Sequence, residues 1–324
     1  MDHNSLIAFI ANFPHSRIER AIFMSSTPGT HHPNLVDFIL LITLALIWGS
    51  SFMLIKLALA DFPPATLAAG RILLAAIFLF VVMKIKNLRL PDDIYSWKIL
   101  FLTAITGMTL PFVMISWAQQ TIDSNIAAIL ISLTPLTTLI IAHYTTDDEK
   151  ITVPRAVGLS LGFMGVILLF GGMSLNELLK DGLAQMAMIA SAFLYTISNL
   201  YLRKVAHLKA ITSATGVVIC ASFVSTPFAM MVDQPWTLSP GLTSILAIAF
   251  LGIVSSAIAV VIMAALVFRA GVGFMTLNNY LVPIVGVIWG VSLLNEALSA
   301  NAIIGFGLIL LGVAAATLWR RKKQ

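Results

Sequence analysis

The sequence predicts an all-α integral membrane protein of ten transmembrane helices in two inverted five-helix repeats, and three observations carry that prediction. Of 324 residues, 59% are hydrophobic and only 10% charged, with a mean hydropathy of +0.97, whereas soluble domains carry about 25% charged residues. Apolar runs of about 20 residues, the length that crosses the hydrocarbon core, recur along the whole chain. The chain also repeats its own punctuation. Pro135, Glu149, Gly158 and Gly165 in the first half match Pro283, Glu296, Gly305 and Gly312 in the second, and the glycines stand at plus 9 and plus 16 from each glutamate. In nearly unbroken apolar sequence, such self-similarity implies a duplicated membrane bundle, a plan that points to transport.

Taken in order, the spans of the first repeat run from Asp37 to Ala60, Pro64 to Lys84, Trp97 to Gln119, Asp123 to His143 and Pro154 to Gly172. Those of the second run from Gly182 to Arg203, Ile211 to Val232, Leu242 to Phe268, Gly271 to Leu294 and Ser299 to Trp319. Prolines open the second and fifth, and a glycine opens the ninth. Only the polar stretch Gln119 to Asn125 separates the third from the fourth. Connections this short make neighbouring helices antiparallel. The organisation is then a tail at 1–34, repeats at 35–173 and 182–319, and a basic tail at 320–324. The first 34 residues lack a signal-peptide layout, because the apolar stretch Leu6 to Ile10 is short and runs into His15, Arg17, Glu19 and Arg20. A cytoplasmic tail, a surface-lying helix and a translation start at Met24 all fit that stretch.

Lysine and arginine are retained on the cytoplasmic side during insertion. With the N-terminus inside, only Lys56 and Lys180 fall outside and only Arg71 lies within a span, so 16 of the 19 basic residues are cytoplasmic. Both termini are therefore expected in the cytoplasm. Five crossings per repeat bring the second copy in upside down: aligning Trp48 with Tyr195 sets Lys56, at an outer helix end, against Arg203, at an inner one. The basic pI of about 9.4 thus reflects topology, and no nucleic-acid partner is implied. Cys220 stands alone, which leaves no intramolecular disulfide.

The segment Leu46-Ile47-Trp48-Gly49-Ser50-Ser51-Phe52, the entry from Pro64 to Arg71 and the paired Pro, Glu, Gly, Gly tails resemble the drug/metabolite transporter superfamily, specifically its EamA-type members. The resemblance spans Val36 to Trp319. It implies a ten-helix carrier with a central cavity that works by alternating access, with a lipid bilayer and a small-molecule substrate as partners and no cofactor. One departure is an inserted residue before Glu149, since the proline-to-glutamate gap is 14 residues in the first copy and 13 in the second. Asp148 and Glu149 are both candidates for the acidic position there.

Substrate-binding candidates are polar groups placed where they cost free energy. Asn278 and Asn279 lie seven and eight residues into the ninth span, roughly 11 Å from its end at about 1.5 Å per residue. Tyr280 follows, and Pro283 frees the carbonyl of Asn279 by removing a backbone donor. A binding patch for a polar or zwitterionic ligand is one reading, and an interhelical amide hydrogen bond the other. In the fourth span Pro135 shares the kink, but its neighbours offer only hydroxyls. Trp48 and Ser51, Trp117, and Tyr195 with Asn199 complete the candidate set, because an aromatic face with a polar tip suits an amphipathic substrate. For the tryptophans interfacial anchoring competes, and for the serines bonding back to their own helix.

Arg71 is the permanent charge well inside a span, where insertion scales put its cost at about 2.5 to 3.5 kcal/mol. It is expected either to be tethered at a helix end, to a carboxylate such as Glu296 or Asp61 or to carbonyls, or to dock a substrate carboxylate. Glu149 and Glu296 with Pro135 and Pro283 are the structural or gating candidates. No carboxylate falls at mid-span, so coupling through Asp37, Asp123 or Glu296 and no coupling at all both stay open. His143 and Asp147 have metal-ligand spacing but fall at a cytoplasmic loop, and no metal is expected. A membrane-embedded lipid-handling enzyme would need titratable groups clustered inside the spans, and a channel a charged ring or filter loop. Neither pattern is present. Without a carboxylate in the first span a cationic multidrug exporter fits less well than a carrier of neutral or zwitterionic, amino-acid-like metabolites. The oligomeric state, monomer or homodimer, is open.

Overall fold

The computed structural model of the protein describes residues 33–145, 151–170 and 175–318, with side chains described for 33–145, 151–170 and 181–316. Glu149 and its acidic neighbours, the leading tail and the basic C-terminal tail lie outside the described residues. Among the described residues ten helices follow one another: α1 Leu35–Ala58, α2 Pro64–Ile85, α3 Ile94–Ala118, α4 Ser124–Thr145, α5 Val153–Phe170, α6 Leu175–Arg203, α7 Ala210–Val232, α8 Leu242–Met275, α9 Asn278–Leu294 and α10 Ala300–Leu318. Eight are long and apolar enough to cross a membrane by length and composition, and α9 and α10 are shorter apolar helices. The surface is inverted relative to a soluble protein. Phe223 is 79% and Phe163 68% exposed, whereas Asp37 keeps 2%, Asn278 1% and Arg71 8% of their surface, the partition expected where the surroundings are lipid.

Helix starts are set by caps. Asn34 and Asp37 form a reciprocal capping box at α1, Pro64 occupies the first turn of α2, and Asp93 accepts from the Ser96 amide at 2.7 Å at α3. Between caps most of the helices are predominantly apolar and close most of their backbone hydrogen bonds within themselves, as a lipid-facing segment must.

Two expected boundaries acquire a physical cause. Gly271 interrupts α8 at φ 83°, ψ 163°, a conformation essentially reserved for glycine, so the helix kinks where the sequence reading opens the ninth span, while α9 itself starts at Asn278. Residues 272–275 and a turn at Thr276 and Leu277 lead into α9, tightened by three-residue hydrogen bonds from Leu277 to Phe274 and from Asn279 to Thr276. In α4 the helix opens at Ser132 and Leu133 just before Pro135. The proline removes the donor for the Ile131 carbonyl, and the Thr134 hydroxyl supplies one at 2.7 Å. Pro283 sits buried inside α9 without interrupting it, so the two prolines share a position in the repeat while the tightened turns differ.

Helix pairing follows the duplication. α1 packs on α8 and α9, and α6 packs correspondingly on α3 and α4. α2 pairs with α7 and α5 with α10. Exchanging the two halves maps this pattern onto itself. α1 and α6 each reach across to the other repeat, so the interior lies between the halves.

Candidate functional site

The third helix of each repeat changes pitch where the halves meet. Ile105–Thr109 of α3 and Phe250–Ile258 of α8 are π-helical, and aligning Phe112 with Val260 places the first stretch within the second. A π turn widens the helix and displaces its carbonyls, an arrangement frequent at functional sites. α1 and α6 hold these stretches from opposite halves. Trp48 Nε1 donates to the Ser255 carbonyl at 3.0 Å, and Ser198 Oγ donates to the Thr103 carbonyl at 3.3 Å.

Arg71 reaches the same region from α2. Its Nε donates to Ser256 Oγ at 2.8 Å, and that hydroxyl donates in turn to the Leu251 carbonyl five residues earlier at 2.9 Å. The guanidinium stands 4.0 Å above the Phe112 ring of α3, and Tyr195 of α6 lies within electrostatic range. Gly252 lets α2 come this close: a Cβ there would stand 2.6 Å from Leu74 Cβ and 2.9 Å from the Arg71 carbonyl oxygen. A cation, two aromatic rings and a hydroxyl thus converge from α2, α3, α6 and α8.

The structure brings Trp48, Tyr195 and Arg71 of the sequence candidates to this junction. Ser51 is buried and bonds back to Ile47 of its own helix at 3.1 Å, which is the packing reading. Of the paired amides Asn278 faces inward, its Oδ1 buried without a hydrogen-bond partner among the described residues, and Asn279 is exposed. Tyr280 is half-buried against the main core. Leu281, one turn past Asn278, packs in the cluster that contains Trp48. Asn199 is exposed on α6, and Trp117 is 45% exposed at the last turn of α3.

The expected carboxylate tether of Arg71 is not formed. Glu296 instead accepts from the Ser124 amide at 2.7 Å, the Ser124 hydroxyl at 2.9 Å and the Asn125 amide at 2.9 Å, capping the otherwise unsatisfied N-terminus of α4. Asp61 accepts from Ser244 Oγ at 2.6 Å and the Gly241 amide at 2.9 Å, and those two bonds hold its carboxyl below the usual range. Both acids thus tie helix ends together across the halves. Phe112 and the pitch changes were missed by sequence reasoning, because a phenylalanine in an apolar span carries no signal.

The EamA-like transporter family matches the chain twice, over residues 37–171 and 182–318. The chain belongs to this family. It is accordingly a multi-pass membrane transporter and not an enzyme. The uncharacterized inner membrane transporter YedA of Escherichia coli is 25% identical over 283 residues, covering 86% of this chain and 89% of that protein. An S-adenosylmethionine/S-adenosylhomocysteine transporter of Chlamydia trachomatis is 28% identical over 283 residues, with 83% and 85% covered. A probable amino-acid metabolite efflux pump of E. coli is 25% identical over 291 residues, with 86% and 93% covered. A protein crystal structure 18% identical covers 90% of this chain and 100% of its own with a TM-score of 0.63, which speaks to the fold alone.

Proposed function

We propose that the transporter exports a small neutral or zwitterionic, amino-acid-like metabolite by alternating access between its inverted halves, from the inner membrane and with both termini in the cytoplasm. One observation carries the reading. The junction between the halves offers a guanidinium, aromatic rings and hydroxyls, while the carboxylates Asp37, Asp61, Asp123 and Glu296 sit at helix ends. A cationic drug would find no counter-charge there among the described residues, and a lone cation in a dry interior is costly. A neutral or zwitterionic molecule meets donors and ring faces. The relative named for amino-acid metabolites supports the same class, and S-adenosylhomocysteine, one of the two molecules another relative is named for, is a zwitterion of that kind, whereas S-adenosylmethionine adds a sulfonium charge.

Counterflow in proteoliposomes tests the proposal, with labelled neutral, aromatic, acidic and basic amino acids and a cationic dye as the panel. Saturable exchange of neutral or aromatic amino acids is the expected result. Exchange of the dye alone would replace this reading by the competing one, a multidrug exporter.

A further inference from the structure

A guanidinium carries five N–H donors in a planar fork. At Arg71 only Nε is engaged, by Ser256 at 2.8 Å, and the four Nη hydrogens have no acceptor among the described residues. They are not sealed in either, because no Arg71 nitrogen is among the buried atoms left without a partner, and the side chain keeps 8% of its surface open. Among the described residues no carboxylate pairs with the charge, and Glu296 and Asp61 are committed to backbone and serine partners of their own. The fork is held in place on one face by Phe112 at 4.0 Å and at one edge by Ser256. A rigid, charged fork beside the pitch change of α8, with one of its five donors engaged among the described residues, has the geometry of a bidentate receptor.

Resting on the carrier reading above, we infer that Arg71 anchors a free carboxylate of the transported molecule through its Nη groups, with Phe112 as the platform and Ser256 as the orienting acceptor. A carboxylate matches the fork in plane and spacing. It also matches in charge, because the single cation balances one negative charge, whereas a phosphate dianion would leave a second without a partner. The substrate class narrows from neutral or zwitterionic metabolites to those with an unmodified carboxyl group. Lysine in this place would keep the charge and lose the fork.

Competition in counterflow tests the assignment in the full-length protein: a mixture of labelled α-amino acids is exchanged against unlabelled free acids or against the corresponding carboxamides. Wild type is expected to be inhibited by the carboxamides at least about tenfold less well than by the acids. Arg71→Lys should raise half-saturation for the acids about tenfold, and Arg71→Gln should bring acids and carboxamides to parity. A purely structural tether would lower transport of every probe alike and leave the acid-to-carboxamide ratio untouched. Should Arg71→Gln fail to assemble, Phe112→Leu carries the test, with the acids weakened and the carboxamides unmoved. Equal competition by carboxamides in wild type, a preserved acid preference in Arg71→Gln, or an equal shift of both probes in Phe112→Leu would overturn the anchor and leave the carrier intact. If none of the amino acids exchanges while a known carrier in the same lipid does, the metabolite reading falls and the anchor with it.

Discussion

Asp37 and Arg269 form the ion pair that joins the start of α1 to the end of α8. Nε and Oδ1 are 2.6 Å apart, and the carboxylate also accepts from the Asn34 amide at 3.0 Å. Removing one partner of this part-buried pair forfeits a charge-assisted hydrogen bond, a cost of about 1.5 to 3 kcal/mol. Asp37→Asn is therefore expected to lower the melting temperature in detergent, and adding Arg269→Gln should recover part of the loss. A single variant as stable as wild type would show the pair to be a surface contact. At this scale the sequence was legible where chemistry is scarce. Trp48, Tyr195 and Arg71 stood out because polar tips and charges are rare in apolar spans, and all three reach the junction. The partner of Arg71 was not legible, since Ser256 lies 185 residues away and nothing local distinguishes it from the serines that bond to their own helices. Nor could the sequence say which of Asn278 and Asn279 turns inward, because that depends on helix rotation.

Glu296 and Asp123 meet at the start of α4 in opposite electrostatic circumstances. Glu296 takes three hydrogen bonds from Ser124 and Asn125. Asp123, the N-cap residue, makes no capping bond of its own. Burial, Glu296 and Asp181 raise its carboxyl above the ordinary range, against an opposing pull from Lys56. An acid whose folded value is raised holds a proton that the unfolded chain has already released, so stability falls as pH rises through that window and stays reduced above it. Asp123→Asn should accordingly melt higher than wild type at pH 7, with the difference closing below the carboxylate range. Glu296→Gln should melt lower at pH 7, because charge-assisted bonds to the helix end are lost. If both variants shift in the same direction at pH 7, this division of labour is wrong. Among the elements, the break at Gly271 was legible because glycine punctuates, and the spacing of Pro135 and Pro283 because prolines do. The pitch changes in α3 and α8 were not, because a π turn has no punctuating residue of its own in the sequence.

The halves meet most closely where α5 crosses α10, and glycines make that possible. A Cβ on Gly312 would stand 2.5 Å from the Gly158 carbonyl oxygen and 2.8 Å from the Gly162 nitrogen, and one on Gly165 2.5 Å from the Gly305 carbonyl oxygen. Small residues allow close backbone approach, but that each copy of the repeated glycines meets the other copy was not legible, because a spacing names no partner. Those obstacles are backbone atoms, which cannot rotate away. Gly312→Ala must therefore separate the two helices, at a cost of about 1 to 3 kcal/mol as overpacking. Gly307 is the control on the same helix, for a Cβ there meets nothing within 4 Å, and Gly307→Ala should stabilise slightly, by up to about 1 kcal/mol, through helix propensity. The contrast is read by denaturant unfolding in mixed micelles, with transport measured on the same preparations. A fixed α5–α10 seam, about which the junction of α2, α3, α6 and α8 can rearrange, requires Gly312→Ala to lose stability while the acid-to-carboxamide preference stays as in wild type. Loss of that preference without loss of stability would place the seam itself in the substrate path.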